Sequence, residues 1–482
     1  MIQIDKSLLQ ADGSPTVALL GKLLEMHEKK AKHLEGLRNI AKRKHEIGNR
    51  IRLHGLPNNK ITHDLPGYIV TMAAGYLVGE PVTYTPEEEA ANHFEPIREA
   101  LKAAISDNVD AELAVDAATY GKGVEVYYAD EQSRPRIAQM DACSSFVVYD
   151  DTVEHNPLLG VSCANTLNDK LEDSGKRITV YTADELIVYE VRDRGMPLQA
   201  VSREQHYFGG VPLVEYWNNS KEEGDFEPVM DLINAYDVLQ SDRVNDKQQF
   251  TDSILALYGI GALGAQDTEE YDMESEEEQE ERPPERKDML TPSQRLRQTK
   301  TLFMPGDGAK AEWLTKPLAE ADTEILRKSL QGDIHKFSLV PDLTDENFAG
   351  NISGVAMRYK LFGLEQLTKI KERWFREGLR CRLRLFANFL SRKGAAAMDT
   401  DTVQISFKRS LPVNEVEIAQ MVQSYQGLVP EELLLAQVPF VEDAEAAAKL
   451  LKAEKEEAAK AQREAFAARN PMAGAHEKDD AE

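Results

Sequence analysis

Residues 339–364 read LVPDLTDENFAGNISGVAMRYKLFGL, and they join two long helical patterns through a segment too polar and glycine-rich to be core. Pro341, Asp342, Asp345, Asn347, Gly350, Asn351 and Gly354 are turn and breaker residues. Ser353 stands where a helix beginning near Val355 would take its N-cap. The apolar period then runs through Met357, Leu361, Leu364, Leu367, Ile370, Trp374, Leu379, Leu383, Phe386 and Leu390. That spacing predicts one helix to about Arg392, on the order of 55 Å long, with a wide buried face. From Arg358 to Lys393 there are eleven Lys or Arg and three Glu, a local charge of +8 in a chain whose formal net charge is -26.

Upstream of the loop, Ala319 to Leu339 reads as helix, and Lys300 to Pro305 and Ala311 to Leu314 as two strands around a Gly306, Asp307, Gly308 turn. Further back, Pro228 to Leu257 carries Val229, Leu232, Ile233, Tyr236, Leu239, Val244, Phe250 and Ile254 at helical spacing. Helix, small β-containing insertion, helix describes a stalk with a tip. The insertion holds Gly259, Gly261 and Gly264 in a formal G-x-G-x-x-G. A dinucleotide site needs those glycines to open a helix whose N-terminus meets a pyrophosphate. Here they run into residues 267–281, with ten carboxylates and no Lys or Arg, which repel a pyrophosphate and suit a solvated loop. A glycine-rich strand or turn is the better account. Arg282 to Arg297 has two adjacent prolines and several basic residues, either a counterpart to the acidic run or a connection.

The first third is helical, then β-rich. Residues 16–53 read as one helix whose basic face is either solvated or meets nucleic acid or an acidic partner. After an Asn58, Asn59 turn, Ile61 to Leu77 reads as an apolar helix and Val82 to Tyr84 as a short strand. Residues 87–119 carry two more helices, and Val124 to Tyr128, Phe146 to Tyr149, Ile178 to Tyr181, Leu186 to Val191 and Val211 to Tyr216 read as strands. His155 and His206 have no second ligand at metal spacing and read as surface or loop residues. After the long basic helix, Val403 to Phe407 is a strand, Val413 onward is helical, and the tail past Asn470 is expected to be disordered.

Composition limits the classes. The fold class is α+β, and 482 residues suffice for two to four domains. Cys143, Cys163 and Cys381 are far apart and odd in number, which predicts a reducing compartment and no disulfide framework. The first residues lack a secretion signal's basic start and apolar run, and Tyr68 to Val82 is too short and glycine-interrupted to cross a bilayer, so no membrane partner is expected. No G-x-x-x-x-G-K-[ST] loop is present, and no catalytic constellation, metal site or cofactor is expected.

Four stretches together carry a resemblance: residues 58–84 (NNKITHDLPGYIVTMAAGYLVGEPVTY), residues 315–365, the basic helix to about 391, and residues 427–443 (GLVPEELLLAQVPFVED). In that order the chain resembles the portal, or head-to-tail connector, proteins of tailed bacteriophages with long non-contractile tails. The resemblance implies a portal-protein fold with an α/β wing (1–227), a two-helix stem (228–257 and 317–340), a small β-containing clip (258–316), a tunnel loop with a long wing helix (341–395) and a helical crown with a disordered tail (396–482). It implies a homo-oligomeric ring, typically dodecameric, at one capsid vertex of the virion, assembled in the host bacterial cytoplasm. Double-stranded DNA would pass through it during packaging and ejection. The large terminase subunit, a head-tail adaptor, and the major capsid and scaffolding proteins would be its partners. Asp345, Glu346, Asn347, Phe348, Asn351 and Ser353 would form the DNA-contacting tunnel loop, with Gly350 and Gly354 permitting movement. Arg358 and Lys360, nearest that loop, would be the first basic residues to face the channel. Glu276, Glu277, Glu278, Arg295 and Arg297 of the clip would engage a partner, though the acidity of residues 267–281 departs from the family pattern. An acidic chain with limited basic stretches suits a conduit, because many phosphate contacts around a ring would hold DNA too tightly to slide. The other readings are a nucleotide-binding enzyme using the glycine run, and a structural adaptor that never meets DNA.

Overall fold

The computed structural model describes residues 1–53, 56–167, 173–191, 198–250, 254–258, 301–304, 310–314, 320–344, 354–409, 415–435, 438, 441 and 444–469. It divides into two compact units, residues 1–340 with 367–407, and residues 341–366 with 408–482.

The first unit is built on two sheets. Strand β1 (Ile2–Ile4) runs parallel to β5 (Ser145–Asp150), and β5 continues antiparallel through β6 (Pro157–Leu167), β7 (Asp173–Tyr181), β8 (Glu185–Val191) and β9 (Gln199–Gln205). Helix α1 (Val17–Ala41) is capped by Thr16, whose Oγ1 accepts from Leu19 N–H at 3.2 Å. Its Leu20 and Leu23 are buried against Phe146, Val148, Leu159, Val161, Ile178, Val180 and Ile187 of that sheet. The second sheet orders β10 (Leu213–Trp217), β3 (Lys122–Ala129) and β4 (Pro135–Met140).

Helices α2 (Leu65–Val78), α3 (Ala91–Ala103) and α4 (Ser106–Tyr120) complete this unit's amino-terminal part. Asp64 caps α2, accepting from Gly67 N–H. Strand β2 (Thr83–Thr85) pairs antiparallel with β14 (Gln404–Ser406), which ties the chain after the long helix back to the segment after α2.

Two helices form the stalk, α5 (Met230–Phe250) and α6 (Glu320–Ser338), and they pack on each other. Between them in sequence lies a three-stranded sheet with β11 (Ile254–Tyr258) at its centre, parallel to β12 (Thr301–Met304) and antiparallel to β13 (Lys310–Leu314). The order helix, β-containing insertion, helix is therefore present.

The long basic helix is α8 (Phe362–Arg392), preceded by α7 (Gly354–Lys360). Phe375, Leu379, Leu383, Leu385, Phe386 and Phe389 of α8 enter the largest core of the first unit, with Phe94, Leu101, Leu113, Tyr127, Phe208 and Tyr216. In the second unit, α9 (Glu415–Tyr425), α10 (Glu431–Leu435) and α11 (Ala444–Arg469) supply the expected helical ending. Residues 470–482 lie outside the described residues.

Several boundaries depart from the sequence reading. The first helix stops at Ala41 instead of continuing to 53, because Arg43 takes a left-handed φ of 62° and only a 3-10 turn, Glu46–Asn49, follows. Residues 254–257 are strand, not the end of the stalk helix. Ile254, Leu255, Leu257 and Tyr258 are the apolar and aromatic types that fit a pleated surface; β13 pairs with all of them and β12 with Leu255 to Tyr258. The single helix from Val355 is two, parted at Leu361, although Leu361 N–H still bonds Met357 C=O at 3.0 Å and Glu365 N–H bonds Leu361 C=O at 2.9 Å. Strands β1, β4, β6 and β9 had no counterpart in the sequence reading.

Candidate functional site

The stalk is held laterally by a polar stripe. On α5, Asp237, Ser241 and Asn245 recur every four residues and are fully buried. The irregular segment 57–64, from the NNKITHD motif, lies along them. Asn59 N–H donates to Asn245 Oδ1 at 2.7 Å, and its Nδ2 donates to Gln248 Oε1 at 2.8 Å. Ile61 N–H donates to Ser241 Oγ at 3.0 Å, and His63 N–H to Asp237 Oδ1 at 2.9 Å. His45 Nδ1 meets the other carboxylate oxygen at 2.5 Å from the buried side. Burial raises the Asp237 pKa, but the hydrogen bonds from His45 and His63 outweigh it and hold the carboxyl below its ordinary value. Arg50 and Arg52 both reach Asp242 one turn further along. A segment without regular structure thus satisfies its backbone donors on a helix side.

The two stalk helices are joined by charge. Arg243 of α5 bonds Glu320 at 2.9 Å and Glu324 at 3.1 Å on α6. Lys247 adds a 2.8 Å contact to Glu320, and Arg327 binds Glu324 through both Nε and Nη2. Tyr68 of α2 stands edge-on to His335 of α6, with ring centroids 5.7 Å apart.

Helix α8 uses much of its charge within the chain. Arg382 is fully buried, with Nη2 2.6 Å from Asp110 Oδ1 on α4 and 2.7 Å from Glu125 Oε1 on β3. Lys371, also buried, bonds Asp225. Arg376 pairs with Glu372, Arg380 with Glu377, and Lys393 donates to Ser133 C=O at 2.7 Å. Of the basic residues from Lys369 to Arg384, Lys371, Arg376, Arg380, Arg382 and Arg384 form ion pairs inside one chain, Arg384 with Asp401 at 3.6 Å.

Among the residues predicted for the site, Arg358 and Lys360 lie on α7 and are exposed. Asp345, Glu346, Asn347, Phe348, Gly350, Asn351 and Ser353 lie outside the described residues, as do the glycine run and Glu276, Glu277, Glu278, Arg295 and Arg297. His155 is exposed beside Gln3, and half-buried His206 donates to Thr182 C=O at 3.0 Å. Sequence reading missed His45, His63 and Asp237. The signal available for Asp237 was the four-residue recurrence of polar Asp237, Ser241 and Asn245 along α5; nothing around His45 and His63 marks them.

None of this geometry is that of a catalytic site. Burial pushes the Cys143 thiol up to about 12 and Cys163 to about 11, opposite to the direction that activates a nucleophile. Among the described residues no group of three or more His, Cys, Asp or Glu could hold a metal ion, and no helix is long and apolar enough to cross a membrane.

The mixed α/β architecture is consistent with the fold of a phage portal protein. The family described as "Phage portal protein, SPP1 Gp6-like" matches residues 21–461, and the chain belongs to it. It is 24% identical over 407 residues to the portal protein of Bacillus phage SPP1, covering 80% of this chain and 74% of that one. It is 23% identical over 416 residues to the portal protein of Clostridium phage phiCD119, covering 83% of this chain and 85% of that one. The chain is accordingly a structural component of a virion and not an enzyme.

Proposed function

We propose that copies of this chain close into a ring, dodecameric as in typical portals, at one capsid vertex, and that double-stranded DNA passes through its axis during packaging and ejection. The observation that carries this reading is the family match across residues 21–461. It is supported by the stalk of α5 and α6 bearing a small sheet. In this reading residues 1–227 form the wing, 228–257 and 317–340 the stem, 258–316 the clip, 341–395 the tunnel loop and long wing helix, and 396–482 the crown and tail. The pairing of β14 with β2 favours counting residues 404–406 with the wing. The loop around Asn347, Phe348 and Asn351 touches DNA without reading bases, since small polar groups on a backbone-following surface position a duplex and carry no sequence code. Arg358 and Lys360 are the first basic residues beyond it. The terminase motor and the head-tail adaptor dock on the clip, and the capsid and scaffolding proteins meet the wing.

Mass measurement and negative-stain images of the purified protein should show closed rings. A compact monomer at every salt concentration would remove the ring. Deletion of residues 347–350 should leave rings intact and block DNA packaging; rings that package normally without them would remove the tunnel assignment.

A further inference from the structure

The six-stranded sheet ends on β9, whose far edge pairs with no strand among the described residues. All but one of its seven residues are exposed. An open edge of that length offers a row of backbone donors and acceptors to another chain. At its carboxyl end, Glu204, Gln205, His206 and Tyr207 run into an open cavity of about 630 Å³. That volume is within the range of ligand pockets. Its floor is apolar, with Tyr127, Leu186 and Phe389, and two aromatic rings stand at its mouth, Tyr128 and Tyr207, 47% and 52% exposed. Tyr207 is displayed at a φ of 61°, a left-handed conformation that a bulky residue adopts at a cost and that a glycine would adopt freely. Across from it the end of α8 contributes Arg392 and Lys393. Arg392 is exposed and pairs with no carboxylate among the described residues, and Lys393 is engaged only by Ser133 C=O. Glu204 is opposed at this rim by the two cations Arg392 and Lys393.

We propose that β9 and this cavity form a docking site for an extended polypeptide segment of a partner protein, one that adds a strand to the sheet and then places an aromatic side chain followed by carboxylates in the cavity. Strand addition supplies affinity through the backbone, and the pocket at the strand's end supplies selectivity. The rings of Tyr128 and Tyr207 suit an aromatic side chain. Arg392 and Lys393 suit acidic residues in a chain whose overall charge of -26 would otherwise repel them. The site is independent of the tunnel and clip assignments.

The test uses the full-length assembled protein and fluorescein-labelled eight-residue probes in fluorescence anisotropy. The first is a Thr/Val-rich strand ending in Phe-Asp-Glu. The second ends in Phe-Lys-Lys, the third has proline in place of two strand residues, and a fourth is oligothymidylate. The first should bind, and the other three should bind about tenfold more weakly or not at all, a difference of ~1.4 kcal/mol. Arg392→Glu should abolish the preference for Asp-Glu over Lys-Lys. Tyr207→Gly should weaken the first probe about tenfold while relieving the turn's backbone strain, so its effect cannot come from a disrupted turn. Equal binding of the three peptides, absence of binding by the first, or tighter binding of oligothymidylate would each overturn the proposal.

Discussion

Arg382 on α8 and Glu125 on β3 face each other with Nη2 to Oε1 at 2.7 Å and Nε to Oε2 at 3.2 Å, and neither residue is exposed to solvent. Glu125 also accepts from the hydroxyls of Tyr127 and of Tyr216, the latter at 2.6 Å. The carboxylate therefore has its donors in place without water, which is the condition under which a buried pair holds together. Arg382→Ala would remove the one cation and leave Glu125 and Asp110 facing each other in the core. The expected loss is about 3–5 kcal/mol. Urea denaturation followed by tryptophan fluorescence would measure it, and a loss below ~1 kcal/mol would show that the pair does not anchor the helix.

Asp110 shares Arg382 but has fewer donors. Burial pushes its pKa up to about 6, against the opposing pull of Arg382. A carboxyl whose folded pKa exceeds its unfolded value near 3.8 binds a proton more tightly when folded. Its contribution is complete below the unfolded value and is lost as pH rises through about 6. Asp110→Asn should remove this dependence. The stability difference between the variant and the natural chain should therefore change between pH 4 and pH 7 by a few kcal/mol, in the direction of relative gain for the variant at pH 7. A pH-independent difference would mean that Asp110 is ionised throughout.

The apolar period made α8 legible from sequence, including its end at Arg392, because an uninterrupted core stripe survives any tertiary arrangement. The same stripe marks Arg382, which falls at helical spacing between Leu379 and Phe386, where a solvated arginine would not belong. The β9 strand was not legible: QAVSREQ is exposed along nearly its whole length and has no alternation to read. β1 is three residues paired to a strand some 146 positions away, so nothing local announces it. His45 and His63 meet a carboxylate 192 and 174 residues distant, and their sequence neighbourhood holds no sign of it.

Gly378 lets α8 pack closely on Tyr216 of β10. A Cβ there would stand 2.4 Å from Tyr216 Cδ1 and 2.5 Å from Cε1, and the ring is pinned by its hydroxyl on Glu125. Alanine would normally favour a helix interior by about 1 kcal/mol over glycine. Here overpacking should reverse the sign, so Gly378→Ala should destabilise by about 1–3 kcal/mol. A rise in thermal midpoint would show that the ring yields at no cost.

Asp237 should control whether segment 45–63 stays on the stalk. His45, the His63 ring and the His63 backbone all converge on its two oxygens, the shortest contact being 2.5 Å. Asp237→Asn keeps the size but replaces one acceptor with a donor, so at least one of these donors loses its partner in a buried place. Charged hydrogen bonds of this kind contribute about 1.5–3 kcal/mol, and a similar loss is expected. Because the Asp237 carboxyl is held below its ordinary value, its contribution is present above about pH 4 and disappears as pH falls through the folded value. The local consequence distinguishes this from general destabilisation. Arg50 and Arg52, now held by Asp242, should become early trypsin sites in Asp237→Asn while sites along α8 stay protected. Digestion followed by mass spectrometry would show the order of cleavage. Simultaneous cleavage at Arg50, Arg52 and α8 would mean that the segment and the long helix open as one unit, with Asp237 serving more than its contact with α5.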